Sequence, residues 1–370
     1  MMPKHPKKVL VVVTQLNRGG LESRLLDIIR NLDFGRVQLD IFTCRLEPGM
    51  LDEEAAGYGS VIYYNKPLTV KNMFQYTRYF ADFLKMHSDY QIVHAHQNAW
   101  CSVFCKGAQA AGVPVRIAHS RMALSALNAR DFAKNVIKLP TRKYATHFFA
   151  VSGLAGEWLF GKKNVQRGNV QIWRNAIECN KFRFDEKRRQ EKRNELGLQN
   201  NFVVLHVGNF TPPKNHNKII KVFGAVSKQR EDAVLLLAGE EKNNQVRLLV
   251  NEMQLSDKVR FLGNREDVNE LMWAADVFLF PSIYEGMPGA VIEAQAAGLP
   301  CVVSHSVTTE VCITSLVTQI SLEMSDELWA DKLLEIQKIG RLDVCEDMKT
   351  AGYDVKTMVE ELTLFYENVI

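Results

Sequence analysis

The chain has 370 residues, of which 46% are apolar and 24% charged, and its formal net charge is +4. This length exceeds what a single hydrophobic core usually organises, so we expect two domains. The composition is that of an ordinary globular protein and excludes a disordered or fibrous chain. The mild positive charge suits an anionic ligand or a membrane surface, but it does not indicate a nucleic-acid partner.

The chain opens MMPKHPKKVLVVV, a basic stretch followed by an apolar run. The run is too short for the core of a signal peptide and leads into the polar segment 17–20, so it is predicted as a first β-strand. No stretch of the sequence is apolar over the length that spans a bilayer. Any membrane contact is therefore expected to be peripheral.

Short β-branched runs alternate with stretches of helical period. The first half is predicted to hold the strands Val9–Thr14, Leu39–Cys44, Ile92–His96, Val115–His119 and His147–Val151, and the helices Leu21–Leu32, Val70–Met86 and Ala99–Ala111. After a joint near 175–184 the pattern restarts with the strands Phe202–Gly208, Val234–Gly239, Val259–Gly263, Val277–Ser282 and Cys301–Ser304, and the helices Asn215–Ser227, Asn244–Met253 and Gly289–Ala297. This alternation predicts parallel sheets covered by helices on both faces, in two copies.

A charge-rich stretch covers residues 185–197 and a last helical pattern covers 355–370. Five basic residues in the first could form a patch for a polyanion or a membrane. Three interspersed glutamates favour an ordinary solvated helix instead.

Seven cysteines are scattered among apolar residues. An odd and irregular set does not make a disulfide framework, so we expect reduced thiols in a cytoplasmic protein. Cys101 and Cys105 stand at helical spacing, but no second pair of metal ligands follows them, so two buried thiols are predicted and no metal.

The segment YEGMPGAVIEAQAAGLPCVVS, residues 284–304, follows a predicted strand. It therefore lies at the carboxyl end of a parallel strand, where α/β sheets bind their ligands. Gly286, Pro288 and Gly289 open a helix, whose first N–H groups and positive dipole end suit a phosphate.

Glu285 and Glu293 flank that helix start and would repel a phosphate in direct contact. They are better explained as acceptors for hydroxyl groups on either side of it. A phosphate between two polyols is a nucleotide sugar, with Glu293 on the ribose and Glu285 on the transferred sugar. For either glutamate alone, a surface position or a flank salt bridge is the simpler explanation, but the placement of both favours function.

In the setting FPSIYEGMPGAVIEAQAAGLPCVVS, the two glutamates resemble the signature of the family-4 retaining glycosyltransferases of the GT-B fold, and in particular the bacterial capsule and exopolysaccharide branch. The resemblance covers almost the whole chain. Its other matches come in the expected order: NRGGLES at 17–23, IVHAH at 92–96, IAHS at 117–120, RNAIECNKF at 174–182 and HVGNFTPPKNH at 206–216.

The resemblance implies an α/β protein with two Rossmann-like, doubly wound parallel-sheet domains that face a cleft. Residues 1–180 would form the acceptor-side domain, and residues 181–352 the domain that binds the nucleotide sugar. The C-terminal helix, about 353–370, would cross back to the first domain.

The resemblance also assigns roles to single residues. Gly19 and Gly20 would let backbone amides approach the donor diphosphate, and Lys214 would neutralise it as it leaves. The catalytic residues implied are Glu285, Lys214 and His119, with His119 close to the reacting sugar. The remaining donor contacts would come from Asn209, Gly239, Asn264, Gly286, Met287, Pro288, Gly289 and Glu293.

Two further features bear on this site. His94 and His96 share one face of a strand, and because no third metal ligand is evident they are interpreted as structural or near the acceptor. Family members usually carry Arg at the position of Asn209, so one charge that would stabilise the leaving group is missing. Arg18 or Arg265 could supply it from another loop.

The implied reaction is transfer with retention at the anomeric carbon, without metal or other cofactor. The acceptor hydroxyl would attack on the leaving-group face, and a donor phosphate oxygen would take its proton. The chain contains no Asp-x-Asp, so a metal-bridged diphosphate is not supported. The capsule-type resemblance favours a UDP-sugar as donor.

The acceptor is expected to be a glycan or a lipid-linked oligosaccharide. Residues 121–144 mix apolar and basic side chains, so this segment could rest on the anionic inner leaflet or be an ordinary amphipathic helix packed on its domain. The protein would then be cytoplasmic and peripheral to the membrane.

Two other functions stay open. A nucleotide-sugar epimerase of the same fold would convert the donor without any acceptor, and a non-catalytic nucleotide-sugar-binding subunit would bind the donor without releasing its diphosphate. A dehydrogenase is disfavoured, because no Gly-x-Gly-x-x-Gly follows the first strand.

Overall fold

The computed structural model describes residues 6–17, 20–121, 129–285 and 287–370. Gly19 and Gly286, both predicted to bind the donor, lie outside these ranges, as does Arg18. The chain divides into two compact units, the first formed by Met1–Ala176 with Asp354–Ile370 and the second by Ile177–Tyr353.

Within the described residues, the first unit contains a seven-stranded parallel sheet. Its strands, β1 to β7, are Lys7–Val13, Val37–Thr43, Ile62–Tyr63, Ile92–Ala95, Val115–Ser120, His147–Ala150 and Val170–Ile172. They are arranged in the order β3-β2-β1-β4-β5-β6-β7. The helices α1 to α8 are Gly20–Asn31, Asp52–Gly57, Met73–Met86, Cys101–Ala110, Ala129–Ile137, Thr141–Tyr144, Gly153–Phe160 and Lys162–Gln166.

Strand β1 shows why this sheet is covered on both faces. Val9, Val11 and Val13 are buried in one core cluster. The alternate residues of a strand point to the opposite face, where the rings of Phe42 and Phe80 pack edge to face with their centroids 4.9 Å apart. Each such buried side chain contributes roughly 1.5–3 kcal/mol, so the continuous apolar run stabilises the centre of a sheet.

The chain returns to the first unit after residue 353. Its last helix, α17 (Val355–Asn368), packs Met358, Leu362 and Tyr366 into the same core cluster as β1. The apolar residues recur every three to four positions, which places them on one face of the helix. On the adjoining surface Arg36 forms ion pairs with Glu360 and Glu367, at 2.9 and 2.6 Å.

The second unit contains, among its described residues, a six-stranded parallel sheet. Its strands, β8 to β13, are Phe202–Val207, Ala233–Ala238, Val259–Gly263, Val277–Phe280, Cys301–Ser304 and Val317–Ile320, in the order β10-β9-β8-β11-β12-β13. The helices α9 to α16 are Cys179–Phe182, Glu186–Glu195, His216–Gln229, Gln245–Glu252, Val268–Ala274, Gly289–Ala296, Asp326–Ile336 and Cys345–Thr350.

Helix α10 (Glu186–Glu195) is less solvated than its sequence predicted. Lys192 is 6% exposed and pairs with Asp267 at 2.8 Å, and Arg189 pairs with Asp276 at 2.6 Å. Lys192 also pairs locally with Glu195 at 2.7 Å, but Asp267 and Asp276 lie far along the chain. The prediction of a solvated helix is therefore confirmed for most of α10, whereas the face with Lys192 and Arg193 is buried and holds the helix on its unit.

In each unit the strand order reverses once, between β1 and β4 and between β8 and β11. The loops that leave the carboxyl ends of these two strands turn to opposite faces of the sheet, which opens a crevice suited to a ligand. None of the described helices combines the length and the apolar character needed to cross a membrane.

Candidate active site

The crevice of the second unit brings Lys214 and Glu285 together. Lys214 follows β8 and Glu285 follows β11, the two strands between which the order reverses. Lys214 Nζ lies 2.7 Å from Glu285 Oε1, and the two side chains are 19% and 21% exposed. The ammonium group also lies 4.5 Å from the ring centroid of Phe280, so its position is fixed by charge and by ring contact.

Backbone and side-chain contacts hold the two loops against each other. Asn215 adopts a left-handed conformation, with φ 56°, directly after the short turn Pro212–Lys214. Asparagine tolerates this conformation better than most residues. Its Nδ2 donates to Pro281 O at 3.1 Å, and the N–H of Ile283 donates to Pro213 O at 2.8 Å. The loop that carries Lys214 is thus fastened to the loop that carries Glu285.

Gly239 is required by a close approach of two loops. It has φ +148°, and a Cβ there would lie 2.2 Å from the carbonyl oxygen of Gly208. The loops after β8 and β9 therefore touch backbone to backbone. The Gly239 N–H donates to Gly263 O at 2.8 Å and joins the loop after β10 to the same group. Asn264, the next residue, is exposed.

Asn209 has a structural contact that the usual Arg of the family cannot make. Its Oδ1 accepts a hydrogen bond from the N–H of Glu240 at 3.0 Å. Arginine carries donors only, so it could not replace this acceptor. Of the two residues predicted to supply the missing charge, Arg18 lies outside the described residues. Arg265 is committed to Asp267 through two hydrogen bonds of 2.7 and 2.6 Å.

Helix α14 (Gly289–Ala296) begins beside this site. Pro288 precedes it and provides no side-chain cap, and the first N–H groups of a helix have no partner within it. A Cβ placed on Gly289 would meet no described atom within 4 Å, so the approach to the helix start is open. Glu293 is half-buried one turn further on, while Met287 is buried and lies 3.9 Å from the Tyr353 hydroxyl.

The first unit places His119 beside the two histidines of the HAH segment. Ala95 of β4 pairs with Ala118 of β5, so His96 and His119 come side by side. The ring centroids of His94 and His96 are 4.1 Å apart, and those of His96 and His119 are 4.7 Å apart. No third metal ligand was evident for this pair from the sequence. The predicted strands Ile92–His96 and Val115–His119 both end in histidine, and this was the signal available for the cluster.

The three imidazoles are buried, being 2–4% exposed, and line one cavity with Arg121 and Tyr366. Burial lowers the pKa of His94 to about 3, and burial and the charge of Arg121 hold the pKa of His96 and His119 well below 6.5. All three are therefore neutral at pH 7. Their ligating atoms lie within 4.8 Å of one another, a spacing that a metal ion could bridge.

Hydrogen bonds connect these rings to the last helix. His94 Nδ1 lies 2.7 Å from the hydroxyl of Tyr366, and His94 Nε2 lies 3.0 Å from His119 Nδ1. An N–H of Arg121 donates to His119 Nε2 at 3.4 Å. Burial lowers the pKa of Arg121 to about 10, which still leaves it charged at pH 7.

Two other predicted features lie in the first unit. Gly20 begins α1, and a Cβ there would meet no described atom within 4 Å. Past residue 131, the segment predicted to contact a membrane exposes Phe132, Val136 and Leu139 by 70, 52 and 57%. Their spacing of four and three residues puts them on one stripe of α5 and its continuation.

Two family models match consecutive parts of the chain. The model described as Glycosyltransferase Family 4 matches residues 18–181, and the model described as Glycosyl transferases group 1 matches residues 188–355.

Relatives over most of the chain carry similar descriptions. The putative glycosyltransferase EpsF of Bacillus subtilis is 30% identical over 374 residues, 99% of this chain and 97% of its own. The capsular polysaccharide biosynthesis glycosyltransferase CapH of Staphylococcus aureus is 24% identical over 97% of this chain and 98% of its own. An Escherichia coli UDP-Gal:alpha-D-GlcNAc-diphosphoundecaprenol alpha-1,3-galactosyltransferase is 25% identical over 76% of each chain.

Solved structures share the fold. HepE of Anabaena, crystallised with UDP and glucose, superposes with a TM-score of 0.78 at 18% identity, covering 98% of this chain and 100% of its own. At this identity the similarity establishes the two-sheet fold alone, which agrees with the parallel sheets predicted from the sequence.

Proposed function

The chain belongs to the family-4 glycosyltransferases of the GT-B fold that build bacterial surface polysaccharides, and on that premise we propose that it is a retaining enzyme. It transfers a sugar from a UDP-sugar to a glycan or lipid-linked oligosaccharide. The observation that carries the proposal is the Lys214–Glu285 pair, 2.7 Å apart, beside the open start of α14.

The donor diphosphate binds between Lys214 and the start of α14. Lys214 supplies a full charge, and the N-terminus of α14 supplies N–H donors and about half a charge. Bound diphosphate replaces Glu285 as the partner of Lys214. Glu285 is then released to accept hydrogen bonds from hydroxyls of the transferred sugar, while Glu293 accepts those of the ribose.

The reaction breaks the bond from the anomeric carbon to the phosphate oxygen and forms a bond from that carbon to the acceptor oxygen. The acceptor proton passes to a phosphate oxygen of the departing UDP. Lys214 and α14 stabilise the charge that develops on the diphosphate, which is the role often filled by preorganised donors. In this proposal His119 contacts a hydroxyl of the reacting sugar, and no metal or other cofactor takes part.

Uridine is supported by the relatives. HepE is described in complex with UDP and glucose, and the E. coli relative is described as using UDP-Gal. In this chain the backbone near Gly239 and the exposed Asn264 would contact the base and ribose. The same E. coli description names a diphosphoundecaprenol-linked acceptor, which supports a lipid-linked acceptor here.

A lipid-linked acceptor requires access to a membrane surface. The exposed stripe of Phe132, Val136 and Leu139, together with nearby basic residues, suits peripheral contact with the anionic cytoplasmic leaflet. Each basic residue near such a surface contributes about 1 kcal/mol, so replacing Lys134, Lys138, Arg142 and Lys143 by Ala should weaken binding to anionic vesicles by up to about 1,000-fold. Neutral phosphatidylcholine vesicles are the control, and unchanged binding to anionic vesicles would refute this surface.

The test of the proposed function is a panel of nucleotide sugars with the purified protein. One UDP-sugar should raise the melting temperature, and UDP should be released only when a lipid-linked acceptor is present. The product anomer, assigned by NMR, should have the configuration of the donor. Lys214→Ala should lower kcat by about 100-fold or more.

Lys218→Ala is the matched control. Lys218 is also ion-paired in the second unit, with Asp326 at 2.8 Å, but it lies on α11 (His216–Gln229) away from Glu285. An equal loss in both variants would show a structural effect only. An inverted product would refute retention, and a donor epimer formed without acceptor would replace the transferase with an epimerase.

A binding subunit is favoured by one observation, the uncharged Asn209 held by Glu240. Donor binding with no UDP release for any acceptor would establish that function in place of transfer.

A further inference from the structure

Four side chains of the first unit form a hydrogen-bonded chain that the proposed reaction does not explain. It runs from Arg121 through His119 and His94 to Tyr366, with successive distances of 3.4, 3.0 and 2.7 Å. His119, His94 and Tyr366 are at most 3% exposed. Tyr366 lies on α17, which re-enters the unit from the far end of the sequence.

Along this hydrogen-bonded series, every group donates in the same direction. A guanidinium group only donates, so His119 Nε2 must accept from Arg121. Because the ring of His119 is neutral, its single proton is then on Nδ1 and is donated to His94 Nε2. His94 in turn carries its proton on Nδ1 and donates it to the oxygen of Tyr366. Arg121 thus favours this direction at one end, and His94 Nε2 and the Tyr366 oxygen favour it by accepting the Nδ1 protons of the two rings.

This order of donation argues against a metal ion on the three histidines. A metal would bind a ring lone pair, but the lone pairs of His119 Nε2 and His94 Nε2 already accept hydrogen bonds. The ion would have to displace both bonds and would lie next to the positive charge of Arg121. The approach of His94 to His119 is explained by the hydrogen bond between them.

We propose that His94 and Tyr366 are positioning residues that lock His119 in the tautomer with an unprotonated Nε2 at the cavity. This inference rests on the proposed function and adds to it the direction of the contact: His119 accepts a hydrogen bond from a hydroxyl of the sugar substrate. The 3.4 Å bond from Arg121 is the longest of the chain and the one that such a hydroxyl can replace.

Tyr366→Phe tests this positioning role, because it removes the hydroxyl oxygen that accepts from His94 Nδ1. His94 loses the acceptor for its Nδ1 proton and gains by moving the proton to Nε2, where it meets the Nδ1 proton of His119. His119 must then move its own proton to Nε2, which gives up the 3.4 Å hydrogen bond from Arg121, the longest of the series. The readout is the pattern of protonated and unprotonated ring nitrogens in ¹⁵N-histidine NMR spectra, with His119 assigned from a His119→Gln sample.

Wild-type protein should show His119 protonated on Nδ1, and Tyr366→Phe should show a substantial population protonated on Nε2. His94→Leu should likewise give a substantial population of His119 protonated on Nε2. His94→Gln should keep it, because the amide oxygen of Gln can accept from His119 Nδ1. Tyr90→Phe is the matched control, since it removes an equally buried hydroxyl of the same unit, one that donates to Asp40 at 2.5 Å.

With substrate, Tyr366→Phe should lower kcat by about tenfold to 100-fold with little change in KM, by analogy with the loss of a hydrogen-bond partner that orients a metal-binding histidine. Tyr90→Phe should leave kcat unchanged, and His94→Gln should retain more activity than His94→Leu.

The lock is overturned if His119 carries its proton on Nε2 in the wild type, or if Tyr366→Phe leaves the tautomer unchanged. It is also overturned if Zn²⁺ added to the wild type shifts all three histidine resonances at stoichiometric concentration. The NMR readout does not depend on turnover. A tautomer that changes as expected in a protein that transfers no sugar would uphold the lock and refute the proposed function.

Discussion

Replacing Gly239 by Ala should destabilise the second unit strongly. The new Cβ would lie 2.2 Å from the carbonyl oxygen of Gly208 and 2.9 Å from the amide nitrogen of Asn209. Both are backbone atoms, so no side-chain rotation relieves the contact. The two loops must separate by more than 1 Å, which stretches the 2.8 Å bond from the Gly208 N–H to Ala238 O.

The magnitude follows from two effects. A side chain at φ +148° costs about 1–3 kcal/mol in backbone strain, and a weakened buried backbone hydrogen bond costs about 1–3 kcal/mol more. We therefore expect a loss of about 4 kcal/mol in the free energy of unfolding of this unit, which is roughly a 1,000-fold change in its unfolding equilibrium.

Native-state hydrogen exchange of the amides in β8 and β9 measures this loss for the second unit alone. Gly197→Ala is the control, because Gly197 has φ +61° and no described atom within 4 Å of a Cβ. The free energy of unfolding of that variant should fall by only about 1–2 kcal/mol, because left-handed backbone strain is its only cost. If protection in Gly239→Ala falls no further than in Gly197→Ala, the close approach of the two loops is not as we describe it.

Three further outcomes are expected. Between pH 7 and 5 the free energy of unfolding of the first unit should fall by about 2 kcal/mol because of His94. The pKa of His94 is about 3 in the folded protein and 6.5 ordinarily, so the unfolded chain takes up the proton first as the pH falls. Urea titrations should show a smaller loss in His94→Gln. Gln295→Leu should lower the free energy of unfolding by about 3 kcal/mol, measured by thermal unfolding. The buried Oε1 of Gln295 accepts from the N–H groups of Ile313 and Thr314, which the substitution leaves unpaired. A thiol reagent should label the native protein once, at Cys312, since the other six cysteines are buried, and Cys312→Ser should abolish that labelling.

Strands at the centre of each sheet were predictable, because both of their faces are buried and their sequences are continuously apolar. The predicted strand Cys301–Ser304 has the observed bounds, and Phe202–Gly208 extends one residue beyond β8. Of the edge strands, β10 was predicted with its observed bounds, Val259–Gly263, whereas β3, β7 and β13 were not predicted. β3 has two residues, and β13 reads VTQI, so neither carries a pattern long enough to distinguish it from a loop.

For the crevice of the second unit, the sequence predicted candidate residues more readily than their contacts. The position of Glu285 after a strand and before a helix followed from chain order, but its pairing with Lys214 joins residues from two loops that only the strand order brings together. For the same reason the neighbours of His119 were missed. Chain order does not state that β4 and β5 are adjacent.

The return of α17 to the first unit has a consequence for biosynthesis. Residues 355–366 complete the core that surrounds β1, yet the ribosome makes them after the whole of the second unit. At usual elongation rates this interval is on the order of 10 s or longer. During it the second unit can fold from contiguous sequence, while the first exposes the apolar groove that α17 will fill. Newly made chains should therefore depend on chaperone protection of their N-terminal half, and any ribosome that stalls before residue 355 should release a chain whose first half stays aggregation-prone.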